Sequence, residues 1–481
     1  MNRLNRKLIS MWSSLGPHCM PFADVATPDL PLRRLLRLSL FQVSVGMAMV
    51  LLVGTLNRVM IVELNVPASI VGVMLAMPLI FAPLRALIGF RSDNHQSALG
   101  WRRVPFVWKG SLAQFGGFSI MPFALLVLAG EGMSGNVSPW VGQITAAASF
   151  LLVGAGIHTV QTAGLALATD LAPQESHPRV VGLMYVMLLV GMMVSALIFG
   201  TVLMDFSPGR LVQVIQMTAL LTLVLNVTAV WKQEVRRPQR GEVSVAPDPS
   251  FKDAWQKFCE GEHTVRRLAI VGMGTMAFGM ADILLEPFGG HVLNLSVSST
   301  TLLTALFAVG GLTGFGAASK AISEGMDPYV ATRIGAFIGL PAFALVITAA
   351  PLLNPWLFVA GNFLIGFGGA LFGHGTLTST MNRAPREQAG LALGAWGAVQ
   401  ATAAGIGVAL SGIIRDLVNA LEASSLTGAS TSASASASAS GYMTVYAIEI
   451  ALLLGTLILI APLLRTRPAT DAGSIATGPA L

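Results

Sequence analysis

The sequence predicts an all-α, polytopic membrane protein whose twelve transmembrane helices form two halves of six. Of its 481 residues, 54% are hydrophobic and only 11% are charged. An ordinary soluble domain carries about 25% charged residues, so this chain has too few charges to cover a water-exposed surface. The composition therefore excludes a soluble enzyme, a nucleic-acid-binding domain and a disordered scaffold.

The first six predicted helices are apolar runs separated by short polar loops. Each has about the 20 residues that a helix needs to cross the hydrocarbon core of a bilayer. They span 38–62, 67–90, 104–130, 139–168, 180–205 and 209–231. Residues 1–37 form a preceding segment, in which an interfacial amphipathic helix is predicted. Its apolar side chains share one helical face: Leu4, Leu8, Met11, Trp12 and Leu15.

The second six helices follow a polar segment at 232–267, which contains three prolines and eight basic residues and is predicted to be a linker between the halves. The helices span 268–290, 298–318, 329–350, 355–381, 388–413 and 441–464. Between the last two, residues 424–440 end in Ser-Ala repeats. That composition cannot build a core, so a flexible loop is predicted there. Residues 465–481 form a tail.

The distribution of lysine and arginine predicts the orientation of the helices. If both termini are cytosolic, 26 of the 29 basic residues lie on the cytosolic side of the membrane or at its edge. The exceptions are Arg58, Arg210 and Arg415. Cytoplasmic loops of membrane proteins carry an excess of positive charge. The linker and the tail are accordingly predicted to lie in the cytosol.

The two halves resemble each other in sequence. Helix four ends in Asp-Leu-Ala-Pro at 170–173, and helix ten ends in Asn-Arg-Ala-Pro at 382–385. Helix one contains Gly-Thr-Leu-Asn at 54–57, where helix seven has Gly-Met-Ala-Asp at 279–282. Six plus six helices, weak internal similarity and a central cytosolic linker indicate the major facilitator architecture.

The loop between helices two and three contains a second fold marker. Gly89, Asp93, Gly100, Arg102 and Arg103 resemble the Gly-x-x-x-Asp-Arg/Lys-x-Gly-Arg/Lys-Arg/Lys motif of facilitator proteins at this place. A carboxylate at a helix end and nearby cations can bridge neighbouring helices. Here the aspartate and the second glycine are seven residues apart instead of three, and an asparagine replaces the usual cation. The loop marks the fold without establishing the gating role of that motif.

Three ionisable residues inside predicted helices are functional candidates, because such groups are costly to bury in a membrane. Arg58 lies near the outer end of helix one, and Asp282 lies in helix seven, four residues before Glu286. Residues four apart share a helical face. Arg58 is expected either to pair with Asp282 or Glu286 as a structural contact, or to form with them the polar end of a substrate or pigment pocket.

Two histidines and a glutamine also lie inside the helices. His158 and Gln161 belong to helix four and His374 to helix ten. A buried histidine can serve as a hydrogen-bonded contact between helices, and neutral imidazole is also a good axial ligand for the metal of a tetrapyrrole. Motifs for zinc binding, phosphate binding or nucleophilic catalysis are not found in a suitable context. The sequence therefore predicts no catalytic residues and no directly bound metal.

Several longer stretches resemble the PucC/LhaA family of purple phototrophic bacteria, over roughly residues 20–465. They lie at 21–24, 35–46, 54–60, 82–89, 158–164, 170–173 and 282–289. The amino-terminal stretch is more similar to the LhaA branch, which is associated with the core antenna, than to the PucC branch of the peripheral antenna.

The resemblance implies a non-enzymatic assembly factor for light-harvesting complexes, LH1 in particular, that binds or delivers bacteriochlorophyll a. Its implied partners are the antenna α and β polypeptides, the reaction centre–LH1 complex, chlorophyll synthase and membrane lipid, without nucleic acid. Its implied location is the intracytoplasmic photosynthetic part of the bacterial inner membrane. His158, Gln161, His374 and Asn57 are then candidate pigment-binding residues, with His158 or His374 as a ligand of the pigment magnesium.

The alternative function is a secondary transporter that moves a small amphiphilic or pigment-related substrate by alternating access. The motif-like loop at Asp93 and the possible pairing of Arg58 with Asp282 or Glu286 favour it. A catalytic subunit of pigment synthesis is disfavoured, because the sequence lacks paired carboxylates at a metal-binding spacing on the cytosolic side.

Overall fold

The described part of the chain consists of helices joined by short turns. The computed structural model describes residues 31–80, 88, 92, 100–129, 138–173, 176–234, 263–383, 389–425 and 431–465, and no strand occurs among them. Such a structure satisfies backbone polar groups within each helix, which a bilayer requires because it offers them no water.

The described helices of the amino-terminal half follow the order of the predicted apolar runs. They are α1 (Leu32–Glu63), α2 (Ala68–Ile80), α3 (Val104–Ala129), α4 (Pro139–Leu171), α5 (His177–Val202) and α6 (Pro208–Val230). Proline stands in the first turn of α4, α5 and α6. Its missing N–H costs nothing there, because first-turn amides have no partner within the helix.

The carboxy-terminal half repeats this arrangement. Its helices are α7 (Thr264–His291), α8 (Val297–Ser323), α9 (Pro328–Leu352), α10 (Pro355–Arg383), α11 (Ala389–Ser425) and α12 (Thr431–Arg465). Side-chain caps begin two of them: Ser296 accepts a hydrogen bond from the Ser299 amide at α8, and Asp327 accepts one from the Tyr329 amide at α9. Caps of this kind satisfy amides that the first helical turn leaves without partners.

Eleven described helices are long and apolar enough to cross a membrane, and α2 is a shorter apolar helix as far as it is described. The predicted second span continues to residue 90, but most of its last ten residues lie outside the described part of the chain. Two residues of the loop motif, Gly89 and Asp93, also lie outside the described part. The prediction of a multi-pass helical membrane protein is confirmed.

Helix α1 departs from regular α-helical geometry. Its segments Val50–Leu56 and Val59–Glu63 are π-helical. A π-helix is wider than an α-helix, with hydrogen bonds between residues five apart. It is rare, and it often occurs at functional sites. The apolar pattern alone predicted a helix here but gave no sign of this widening.

The two halves meet through a small number of helix pairs. Helix α2 packs on α11, α5 packs on α8, and α1 touches α7. Small residues permit the close approach: Gly412 of α11 lies against the Ala68 backbone of α2, and Gly200 of α5 lies against Leu302 of α8. Close backbone approach is how helices associate in a membrane, where burial from water supplies little driving force between them.

Two segment boundaries differ from the predictions. Helix α7 begins at Thr264, inside the predicted linker, and residues 235–262 of that linker lie outside the described part. Residues 431–440, predicted to belong to a flexible Ser-Ala loop, form the first turns of α12. Alanine has the highest helix propensity, so alternating Ser-Ala residues can extend an existing helix. The predicted amphipathic helix and the tail from 466 onward also lie outside the described residues.

The crossing of α8 and α10 provides a test of the packing. A methyl group added at Gly314 would meet the Phe367 backbone of α10, whereas one added at Gly316 of the same helix would meet nothing within 4 Å. Gly314→Ala should therefore destabilise the protein by about 1–3 kcal/mol through overpacking. Thermal unfolding of the purified protein in detergent measures the effect. Gly316→Ala is the matched control, and an equal loss of stability in both variants would contradict this packing.

Candidate functional site

A cavity of about 460 Å³ lies between the two halves. Eight helices line it: α1, α2, α4, α5, α7, α8, α10 and α11. Most of its wall is apolar, with Phe150, Phe278, Phe307 and Phe372 among the largest side chains. Small-molecule sites are typically concave, mostly apolar and about 300–1,000 Å³ in volume. This central cavity has the size and character of such a site.

Polar residues are a minority in the wall of the central cavity, and they include Tyr185, Thr275 and Gln400. His158 and Gln161 are contributed by α4, where residues three apart share a face, and Asp282 is contributed by α7. The Gln161 amide Nε2 also donates to Oε1 of Gln42, a fully buried residue of α1, at 3.4 Å. The structure thus brings together three predicted candidates that lie in different halves of the chain.

These residues fit the magnesium of a chlorin as neutral ligands. The imidazole of His158 and the amide of Gln161 lie in a cavity with predominantly hydrocarbon walls. Magnesium in a tetrapyrrole takes an axial nitrogen or oxygen donor, and neutral imidazole is a common metal ligand. His158 and Gln161 are therefore predicted candidates in this cavity whose chemistry suits such a metal.

A smaller cavity of about 270 Å³ adjoins the central one, and the two share Asp282. Glu286 lines this second cavity and accepts a hydrogen bond from the Thr304 hydroxyl of α8. The amide of Asn362 also lines it and donates to the Leu303 carbonyl at 2.8 Å. Asp282 therefore lines both cavities.

A further acidic residue in the bundle, Glu449 of α12, was not among the sequence candidates. It is fully buried, and neither carboxyl oxygen has a hydrogen-bond partner within the described part of the protein. It lies close enough to Asp282 for the two groups to interact electrostatically. Glu449, like Asp282, is an acidic residue inside an apolar run. The criterion that selected Asp282 from the sequence would therefore have selected Glu449 as well.

Arg58 has a different partner from the predicted one. Its Nη1 lies 2.6 Å from Oε1 of Glu63, and its Nη2 donates to the Leu295 carbonyl at 2.9 Å. Arg58 thus forms its ion pair with Glu63 in place of the expected pair with Asp282 or Glu286, although its charge also acts on Glu286. The physical reason is the π-helical end of α1, because hydrogen bonding between residues five apart widens the turn and brings residues 58 and 63 together.

The other two predicted pigment candidates lie outside the set of described residues that line the central cavity. The His374 ring packs against Phe315 of α8, with 4.4 Å between ring centroids. Asn57 is fully buried, and its amide donates to the Ile283 carbonyl of α7 at 2.8 Å. Asn57 thus makes a structural contact between the halves.

The described residues of the loop motif form a charged cluster at the end of the bundle where α6 ends and α7 begins, which we call the linker face. Arg103 Nε lies 3.0 Å from Oδ2 of Asp170, and its Nη1 donates to the Ser92 hydroxyl at 2.6 Å. The Glu234 carboxylate accepts hydrogen bonds from the backbone amides of Arg102, Arg103 and Val104, where α3 begins. Gly100 precedes this start with a φ of 79°. The cluster ties helices of one half together.

The opposite end of the bundle, the far face, carries hydrogen bonds that join the two halves. Besides the contacts of Asn57 and Arg58, the Ser69 amide of α2 donates to Asp416 of α11 at 2.7 Å. The Ser298 hydroxyl of α8 donates to the Gly200 carbonyl of α5 at 2.6 Å. The central cavity lies on the linker-face side of these bonds.

The Arg58–Glu63 contact generates a stability prediction. Glu63→Gln should lower stability by about 1–3 kcal/mol, because it leaves the buried Arg58 guanidinium without its carboxylate. Asp205→Asn is the matched control, since it breaks the exposed Asp205–Arg210 pair, and exposed pairs contribute about 0–1 kcal/mol. Unfolding midpoints in detergent compare the variants. A larger loss in Asp205→Asn than in Glu63→Gln would refute the role of Arg58.

Comparison with known proteins gives the family and the fold. Residues 55–468 match the family described as "PUCC protein". The chain is 59% identical to Protein PucC of Rhodovulum sulfidophilum, over 89% of this chain and 95% of the relative. It is 52% identical to Protein PucC of Cereibacter sphaeroides, over 97% and 98%. These two relatives lend no support to the prediction that the chain is nearer the LhaA branch.

A solved structure shows the same arrangement of helices at low sequence identity. It is a bacterial homologue of the human lysosomal transporter Spinster in an inward-facing, unoccupied conformation, with a TM-score of 0.63 and 15% identity. The similarity covers 91% of this chain and 98% of that one. The chain is thus a multi-pass membrane protein of the major facilitator fold, and it belongs to the PUCC protein family.

Proposed function

We propose that this protein assists the assembly of light-harvesting complexes by binding bacteriochlorophyll a between its two halves and passing it to antenna polypeptides within the membrane. The observation that carries the proposal is the central cavity. Its wall is mainly apolar, and it includes His158 and Gln161, two neutral side chains that can act as metal ligands. Membership of the PUCC family supports it. The role requires binding and transfer and no catalytic step.

The physical reason for such a protein is the insolubility of the pigment in water. The bound pigment would supply the magnesium and the light-absorbing ring. His158 and Gln161 would hold the metal, and aromatic residues such as Phe278 and Phe372 would pack against an apolar ring. A site buried among helices lets the protein take up and release the pigment without exposing it to water.

The proposed clients are the antenna α and β polypeptides, LH1 in particular, within the reaction centre–LH1 complex. Chlorophyll synthase is the proposed pigment donor. We place the linker face and both termini in the cytoplasm, and the bundle in the intracytoplasmic part of the bacterial inner membrane. Arg34, Arg37, Arg102, Lys232 and Arg266 are basic residues near that face, as the positive-inside rule requires of a cytoplasmic surface.

Pigment binding can be tested with the two histidines. His158→Leu should reduce the bacteriochlorophyll that co-purifies with the protein in mild detergent at least several-fold, because it removes the imidazole from the cavity. His374→Leu is the matched control, since its ring packs on Phe315. The absorbance ratio of pigment to protein measures the effect in material from pigment-producing cells. Equal pigment in His158→Leu and wild type would refute the role of His158.

Secondary transport is the second candidate function, and Asp282 is the observation that favours it. This acid lines both cavities between the halves, as a substrate-binding group of an alternating-access protein would.

The transport hypothesis predicts that Asp282→Asn abolishes flux of a pigment-related amphiphile into vesicles, while His158→Leu leaves antenna assembly intact. The assembly hypothesis predicts the opposite for His158→Leu, namely less assembled antenna, seen as lower antenna absorbance in whole membranes. Gly316→Ala controls for expression and insertion, because a methyl group there contacts nothing.

A further inference from the structure

The interface between α7 and α12 contains a row of titratable side chains that the proposed pigment site does not use. The two helices pack side by side and run in opposite directions. Asp282 of α7 therefore lies near Glu449 of α12, and His291, at the far-face end of α7, lies next to Tyr442. Tyr446 of α12 stands between these two pairs. The row extends from the central cavity to the far face.

The far-face end of the row is accessible from outside the bundle. His291 is the last residue of α7 and is partly exposed. Its ring nitrogen Nδ1 lies 2.8 Å from the Tyr442 hydroxyl and 3.4 Å from Nη2 of Arg415. Arg58 and Glu63 also act on His291 electrostatically. An imidazole in this position can exchange a proton with water on one side and with the tyrosine on the other.

The middle of the row is fully buried. Tyr442, Tyr446 and Glu449 are four and three residues apart, so they share one face of α12. The Tyr446 ring packs against Phe288 and Phe343, with 5.7 Å and 6.4 Å between ring centroids. Tyr446 interacts electrostatically with both Tyr442 and Glu449. Seven residues of helix, roughly 10 Å at 1.5 Å per residue, thus carry polar groups through an aromatic core.

The inner end of the row reaches the central cavity. Asp282 is exposed and lines that cavity, so its carboxyl faces the space between the halves. Glu449 interacts electrostatically with Asp282 on one side and with Tyr446 on the other. A glutamate side chain has three rotatable torsions, so its carboxyl can turn toward either neighbour. Glu449 is therefore the group that connects the cavity to the tyrosines.

The surroundings of Glu449 favour its neutral form. Neither carboxyl oxygen of Glu449 nor the Tyr446 hydroxyl has a hydrogen-bond partner in the described part of the protein. An ionised carboxylate without hydrogen bonds is very costly to bury, and a second carboxyl nearby, that of Asp282, adds repulsion. A proton on Glu449 removes both costs.

The helices that pack on α12 supply no such neutralisation from their own side chains at Glu449. Besides Glu286, which is engaged by Thr304, the other charged or titratable residues described on α7, α9, α11 and α12 lie nearer to the two faces. They are Arg266, Arg267, His291, Tyr329, Arg333, Arg415, Asp416, Glu422, Tyr442 and Arg465. The carboxyl oxygens of Glu449 remain without a hydrogen bond from any described residue.

The chemistry of the row favours a proton over a metal ion. Calcium and magnesium require about six or more oxygen ligands. Among the residues that the structure describes, no group of three or more histidines, cysteines or acids could hold a metal. A proton needs a single acceptor oxygen and no free volume. Chains of acidic residues and histidine inside membranes serve as proton relays in pumps and transporters.

We propose that Glu449 binds a proton and exchanges it between the far face and the central cavity, along the row from His291 to Asp282. The His291 imidazole takes a proton from water, and the hydroxyls of Tyr442 and Tyr446 each accept one proton and donate another. The Glu449 carboxylate then forms an O–H bond. When that bond breaks, the proton passes to the Asp282 carboxylate, which becomes neutral. The pH at the far face thereby controls the charge that the cavity presents to its ligand.

Infrared spectroscopy tests the proton on Glu449. In purified full-length protein at neutral pH, the carbonyl band of protonated carboxyl groups should be present, and Glu449→Gln should lower it by the share of one carboxyl per chain. Glu324→Gln is the matched control, because this glutamate is exposed at the end of α8 and pairs with Lys320. Absence of the band from wild type, or equal bands in Glu449→Gln and wild type, would overturn the inference.

Proton flux into phospholipid vesicles tests the path. With full-length protein in the membrane, a pH-sensitive dye inside and a potassium gradient with valinomycin, wild type should admit protons faster than protein-free vesicles. Glu449→Gln and Tyr446→Phe should each slow this flux at least several-fold. Tyr446→Phe keeps the ring and removes a hydroxyl without a hydrogen bond, so the fold is retained. Tyr329→Phe is the control, since it removes a buried hydroxyl where α9 begins, near the linker face.

Two results of the flux measurement would contradict the path. One is wild-type flux no faster than that of protein-free vesicles, and the other is wild-type flux in both Glu449→Gln and Tyr446→Phe. The inference does not depend on the pigment, because no residue of the row other than Asp282 lines the central cavity among the described residues. Pigment content is measured separately, so the proposed function and the proton path can each fail without the other.

Discussion

The structure depends on the absence of water from the interior of a bilayer, which forces buried polar groups to find partners within the protein. At the far face that requirement joins the two halves: Asn57 reaches a carbonyl of α7, and Ser298 reaches a carbonyl of α5. Small residues such as Gly412 let the helices that carry these groups approach closely. With the halves joined at one end, the space left between them on the linker-face side becomes the central cavity.

The polar content of that cavity is small, and its members differ in kind. His158 and Gln161 are uncharged donors on one face of α4, suited to a metal inside an apolar ring. Asp282 and the nearby Glu449 are acidic residues in the membrane interior, where an ionised side chain costs free energy. Ionisable residues at such positions in membrane proteins mark functional sites. Under the proposed function, such a cavity would distinguish a pigment from the surrounding lipid by its metal as well as by its shape.

Much of the fold could be predicted because apolar runs and basic loops reflect the bilayer directly. The sequence indicated His158 and Asp282 as separate candidates inside helices four and seven, and the structure shows that they line one cavity. The partner of Arg58 could not be predicted, since α-helical periodicity places residue 63 off its face and only the π-helical turns bring the two together. The partner of Asn57 could not be predicted either. It is a backbone carbonyl, and every residue has one, so the sequence does not single it out.

The proposed function makes this bundle a pigment-binding protein. Native mass spectrometry of the full-length chain, released from mild detergent after isolation from pigment-producing cells, tests it most directly. The proposed function predicts a species heavier than the chain by one bacteriochlorophyll molecule. A spectrum that contains the bare chain, or the chain with phospholipid and no pigment, would contradict it.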